Sequence, residues 1–235
     1  MQIPYLARHF RAATFDPVGN GKSDRPDVKE RYTAKQVMAD AIAVLDASDT
    51  ETCVAVGLSM GGALVTYLAA FHPERFDGIV PIAPSGPWMV PNPNGTDITD
   101  SKPADQGRTP VGWEKYDPGY WLVDSPDFVD YFFDQAASDP HSTKLVDDTR
   151  GWAFETTGRI LNYTSTNAPS FDVEEITEKV RAIDLPVLIT HGDDDRVIYH
   201  ESSAVLRGMI PAADLVLIEG PATSRWPGIR SRSTI

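Results

Sequence analysis

Thr52-Cys53-Val54-Ala55-Val56-Gly57-Leu58-Ser59-Met60-Gly61-Gly62 decides how this chain is read. The apolar, β-branched run up to Leu58 has the composition of a buried strand. The Ala- and Leu-rich stretch from Met60 to about Phe71 that follows reads as a helix. Ser59 therefore stands at the apex of a sharp strand-to-helix turn, where a serine hydroxyl is presented as an attacking group. Glycines at 57 and 61 are expected to have a steric job, letting strand and helix approach around a strained serine. The Gly-x-Ser-x-Gly pattern is modest by itself, since roughly 0.08 matches arise by chance in such a composition. Its context, after a strand and opening a helix, carries the reading.

Outward from this turn the pattern alternates. Phe10 to Phe15 reads as a short strand ending at Asp16, before a loop dense in turn formers. From Thr33, a plausible N-cap, apolar residues recur at Val37, Ala41, Val44 and Leu45, giving a helix to about Ser48. A strand follows over Gly78 to Ala83. Later come a helix from Val173 to Ala182, a strand over Pro186 to His191, a helix from His200 to Met209 and a strand over Asp214 to Ile218. Strand–helix alternation of this kind predicts an α/β fold with a doubly wound, mainly parallel sheet. Between the two alternating parts, residues 86–169 break the pattern. They hold Trp88, Trp113, Trp121 and Trp152, with helical periods near Phe128–Gln135 and Leu145–Trp152. They read as an inserted helical cap, leaving residues 1–85 and 170–220 as the core; most of the aromatics are expected to pack the cap itself.

The bulk numbers exclude several classes. The length of 235 residues fits one large α/β domain with an insert, and 41% hydrophobic residues suffice for a core. A net charge of −13 argues against nucleic acid or an anionic membrane as partner. The single cysteine, Cys53, excludes an internal disulfide and reads as a small buried hydrophobe. Neither a leader pattern nor an apolar run of membrane-spanning length is present, so a cytoplasmic protein is expected. Nothing in the sequence implies a metal or nucleotide cofactor, and the oligomeric state is open.

Two further stretches bear on chemistry. Gly19-Asn20-Gly21-Lys22-Ser23 imitates a phosphate-binding loop, but position 16 is aspartate where that motif needs glycine. His191-Gly192-Asp193-Asp194-Asp195-Arg196 follows a strand, and a carboxylate at such a strand end is where an α/β sheet gathers its chemistry. One of the three acids is expected to orient a base.

Taken together these stretches resemble the α/β-hydrolases of the esterase, lactonase and haloperoxidase-like group, along nearly the whole chain. Asp16 to Ser23 is similar to that family's Asp-x-Arg-Gly-x-Gly-x-Ser turn, with Val18 in place of the arginine. The resemblance implies Ser59 as nucleophile, the Met60 amide as one oxyanion donor and Asp195 as the triad acid. The insert after Ala83 would correspond to the family's cap. An aspartate-nucleophile dehalogenase is disfavoured, because position 59 is serine.

The chain departs from the family at two places. The last strand, Leu215 to Gly220, leads into Pro221-Ala222-Thr223-Ser224-Arg225-Trp226, where the family carries its catalytic histidine, and no histidine follows. The five histidines are His9, His72, His141, His191 and His200, and each is expected to be structural rather than a substitute base. The tail 221–235 has no apolar period, is expected to be disordered, and is what a reading-frame shift near codons 220–222 would produce. At the other end, the family's strand with a second oxyanion amide would precede Met1. The expectation is a serine hydrolase acting on a small carboxylic ester or lactone through an acyl-enzyme, impaired by loss of the histidine and that strand. The alternative is a non-catalytic protein of this fold, binding a small apolar ligand under the cap.

Overall fold

The computed structural model describes residues 3–93, 108–137, 143–167 and 171–220. Within them four strands, β1 Cys53–Leu58, β2 Phe76–Ile82, β3 Val187–Gly192 and β4 Ala213–Ile218, form one parallel sheet in the order β1-β2-β3-β4. The α-helices among these residues are α1 Ile3–Leu6, α2 Ala34–Ala47, α3 Met60–Phe71, α4 Pro118–Ala136, α5 Thr143–Ala153, α6 Gly158–Thr166, α7 Val173–Arg181 and α8 Glu201–Met209. This is an α/β fold in which α3 crosses from β1 to β2 and α8 from β3 to β4, while the helical insert and α7 lie between β2 and β3. No helix among the described residues is long and apolar enough to cross a membrane.

Local chemistry sets the helix ends. Thr33 caps α2, its hydroxyl oxygen accepting from the Gln36 amide at 3.2 Å. Asp172 caps α7, accepting from the amides of Glu174 at 2.8 Å and Glu175 at 3.2 Å. Glu174 and Glu175 in the first turn of α7, with Lys179 and Arg181 in the last, also complement the helix dipole. Pro126 cannot donate to the ladder of α4, and the helix breaks at Asp124 (φ −147°, ψ 73°).

One face of the sheet carries the core. Ile79, Val187 and Ile189 pack with Val65 and Leu68 of α3, Ile176 and Val180 of α7, and Leu206 of α8. Residues of opposite parity point to the other face. There Val54, Val56, Leu58, Leu188 and Val216 stay between 40% and 59% exposed. β1 is an edge strand, bonded only to β2 among the described residues.

The sequence-based strand over Phe10 to Phe15 is not formed; residues 11–17 are irregular. An extended segment becomes a strand only when a neighbour pairs its amides and carbonyls. No backbone hydrogen bond links this segment to β1; Arg11 instead donates its guanidinium to the Ser48 carbonyl. In the insert, Trp121, Phe128 and Val129 form a small buried cluster with Tyr116, Phe132 and Leu161. Trp88 behaves differently: it joins the main core against Tyr67, its indole N–H donating to the Pro84 carbonyl at 3.2 Å. The tail 221–235 and His141 lie outside the described residues.

Candidate active site

Ser59 is the N-cap of α3 and adopts φ 54°, ψ −114°, a conformation a non-glycine residue rarely takes. Such strain costs on the order of 1–3 kcal/mol and persists only where neighbours over-determine it. Here they do. The Ser59 amide donates to the Ile82 carbonyl at 2.8 Å, tying the turn to the end of β2. The Ser59 carbonyl accepts from Ala63 at 3.1 Å and from Ser85 at 3.2 Å. Ser59 is half-buried and Met60, the first residue of α3, is exposed. As a first-turn amide, the Met60 N–H has no acceptor within its own helix.

The glycines divide their labour differently from the sequence expectation. A Cβ on Gly57 would lie 2.1 Å from the Gly61 carbonyl oxygen, so β1 and α3 meet there with no room for a side chain. A Cβ on Gly62 would lie 2.9 Å from Pro84. Around Gly61 a Cβ would meet nothing within 4 Å. The steric requirement falls on Gly57 and Gly62; Gly61 contributes its backbone oxygen to the crowding and needs no missing side chain of its own.

Asp195 sits in the loop after β3, its side chain only 5% exposed. Oδ1 accepts from the Val197 amide at 2.8 Å and the Ile198 amide at 2.9 Å, while Oδ2 is 3.4 Å from Nε2 of His191. Of the other two acids, Asp193 is committed to the turn, its Oδ1 accepting from the Gly220 amide at 2.7 Å. Asp194 is exposed. A cleft of about 320 Å³ opens over this loop, lined by Asp193, Asp194, Asp195, Arg196, Tyr199 and His200 with Asn92 and Pro93. Ser59 does not line it. Serine and aspartate nonetheless share the end of the sheet to which the strand C-termini point, since Ser59 follows β1 and Asp195 follows β3.

The described histidines separate cleanly. His191 is fully buried, with Nδ1 2.7 Å from the Ser203 hydroxyl and Nε2 3.0 Å from the Ile198 carbonyl. Both its nitrogens are engaged, so it cannot take a proton from Ser59. His72 ends α3 at the opposite pole from Ser59, and His9 lies on an exposed turn after α1. His200 lines the cleft beside Asp195, stacked edge-on to Tyr199 and 3.7 Å from Glu201. Cys53 is half-buried, and burial pushes its thiol up. Among the described residues no cluster of three or more His, Cys, Asp or Glu is placed to hold a metal.

The family model for the alpha/beta hydrolase fold matches residues 2–222. The chain belongs to this family. The α/β-hydrolase assignment agrees with individual relatives. The chain is 26% identical over 201 residues to a non-heme chloroperoxidase of Streptomyces lividans, covering 85% of itself and 70% of that protein. It is 31% identical over 157 residues to epoxide hydrolase B of Mycobacterium tuberculosis, covering 64% of itself but only 39% of the relative. Among solved structures, a bromoperoxidase from Bacillus anthracis superposes with a TM-score of 0.74 at 22% identity, covering 94% of this chain and 79% of that one. That likeness shows the fold alone.

Two features of this α/β-hydrolase escaped sequence reasoning. One is the tie between α6 and the loop after Asp16. Arg159 and Tyr163 both bond the Asp27 carboxylate at 2.8 Å, and the Thr156 hydroxyl donates to the Gly19 carbonyl at 3.0 Å. The other is the His191–Ser203 pair beneath the acid loop. Neither has a local sequence signal, because each joins residues brought together only by the fold.

Proposed function

We propose that this α/β-hydrolase is a serine hydrolase of small carboxylic esters or lactones, with Ser59 as nucleophile, the Met60 amide as an oxyanion donor and Asp195 as the acid. The observation that carries the reading is the strained Ser59 elbow: a non-glycine residue at φ 54°, at the C-terminal end of a strand and the N-terminus of a helix. In the reaction, Ser59 Oγ attacks the ester carbonyl as its proton passes to solvent, which later returns one to the leaving oxygen. The oxyanion is held by the Met60 N–H at the positive end of α3. The alcohol or ring oxygen leaves, and water then hydrolyses the acyl-serine.

The reading includes an impaired turnover. The residues from Glu219 to Ile235 contain no histidine, and His191 is closed off by its own hydrogen bonds. β1 also has no strand on its outer side among the described residues that could bring a second oxyanion amide. Loss of the base alone costs on the order of 10⁶ in turnover in a serine protease. A binding role without turnover, for a small apolar ligand under the helical insert, is favoured by the same missing base. Hydrolysis of p-nitrophenyl butyrate by the chain and by Ser59→Ala tests the assignment. Slow turnover that Ser59→Ala removes upholds it, and equal residual rates in both overturn it.

A further inference from the structure

We propose that His191 is a positioning residue for Asp195, fixing the carboxylate from beneath the acid loop without touching substrate. Its importance for catalysis rests on Asp195 being the acid of the hydrolase site; the positioning itself rests on geometry alone. His191 is 0% exposed, and its two nitrogens are assigned by their neighbours. The Ile198 carbonyl, 3.0 Å from Nε2, can only accept, so Nε2 carries the proton. In the neutral ring Nδ1 is then the acceptor, and the Ser203 hydroxyl at 2.7 Å is the donor. In the neutral ring this selects one tautomer, with its N–H on the side that faces the acid loop.

The loop closes around that N–H. Ile198 is bound twice: its carbonyl by His191 and its amide by Asp195 Oδ1 at 2.9 Å. The ring and the carboxylate therefore grip the two polar groups of one residue, and Asp195 Oδ2 lies 3.4 Å from the same Nε2. Oδ1 is consumed by the Val197 and Ile198 amides, so the carboxylate cannot rotate without breaking both bonds. Oδ2 is the oxygen left to orient a base. Ser203, itself 0% exposed on α8, anchors the whole device to the core. A histidine that only filled space would need neither a defined tautomer nor the hydroxyl.

The test reads the loop rather than activity. Nitrogen NMR on the native chain gives the His191 tautomer, expected as Nε2–H. Residue-resolved amide exchange is compared in the native chain, His191→Leu, His191→Gln and Ser203→Ala. His191→Leu is expected to speed exchange at Val197 and Ile198 at least about tenfold while leaving Ile189 and Leu215 unchanged. His191→Gln, which can still donate to the Ile198 carbonyl, is expected to restore much of the protection. Native exchange rates at Val197 and Ile198 in the leucine variant overturn the proposal. So does an Nδ1–H tautomer, which decides the matter even where the leucine variant does not fold. If Ser59 proves not to be a nucleophile, these outcomes are unaffected, so the two readings fail separately.

Discussion

Gly57→Ala and Gly61→Ala should move stability in opposite directions, although the sequence motif treats the two glycines alike. At Gly57 the added Cβ would sit 2.1 Å from the Gly61 carbonyl oxygen, a backbone atom that cannot swing away. Strand and helix must part, and overpacking of this kind costs about 1–3 kcal/mol. At Gly61 the Cβ meets nothing within 4 Å, and the residue lies inside the first turn of α3. Alanine there gains helix propensity and loses unfolded-chain entropy, worth about 0.5–1 kcal/mol of stabilisation. The two variants are thus separated by about 1.5–4 kcal/mol, or about 3–16 °C in Tm for a domain of this size. Thermal melts followed by far-UV circular dichroism at one protein concentration measure the gap. A Gly61→Ala variant that loses as much stability as Gly57→Ala would refute the close-approach account of the elbow.

Other expectations follow from the same structure. Ile189→Ala, at a fully buried position of β3, should cost about 2–5 kcal/mol, whereas Val56→Thr on the open face should change stability by no more than about 0.5 kcal/mol; urea titrations compare them. Asp172→Ala removes the cap of α7 and should cost about 0.5–2 kcal/mol in the same assay. The Tyr163 hydroxyl and the Arg159 guanidinium hold the Asp27 carboxyl below its ordinary range. A depressed folded pKa means that this contribution is present above the unfolded value near 3.8 and is lost as pH falls through the lower folded one. Protection of α6 amides, taken relative to intrinsic exchange at each pH, should therefore fall below about pH 4 in the native chain, and Asp27→Asn should show the loss already at neutral pH. Exchange in α6 that is the same in both chains at pH 7 would remove this tie from the account.

How much was legible in the sequence depended on whether the signal was local. The turn at Ser59, the cap at Thr33 and the apolar runs of β2, β3 and β4 are written in neighbouring residues, and the structure forms each of them. Phe10 to Phe15 has the composition of a strand but not the partner one needs, and partners are not encoded in a segment. α6 was missed because Gly158-Arg159-Ile160-Leu161-Asn162-Tyr163 offers few apolar positions; it is held instead by its Thr157 cap and by bonds to Asp27. Trp88 sits at the start of the aromatic insert in sequence yet packs in the main core, edge-on to Tyr67 and bonded to the Pro84 carbonyl. At the site, Gly-x-Ser-x-Gly located Ser59 but misassigned the steric load, which only the distances to Gly61 and Pro84 reveal. Three consecutive aspartates could not be ranked by composition. Their amide partners and burial separate them.

The most direct test of Ser59 as an unassisted nucleophile is covalent labelling. The chain and Ser59→Ala are incubated with a fluorophosphonate, with and without free imidazole as an added base, and adducts are mapped by mass spectrometry. The account predicts slow labelling at Ser59, faster labelling with imidazole, and none at position 59 in the alanine variant. Rapid stoichiometric labelling of Ser59 without imidazole would show that the chain already holds a working base. An adduct that persists in Ser59→Ala would contradict the account at its centre.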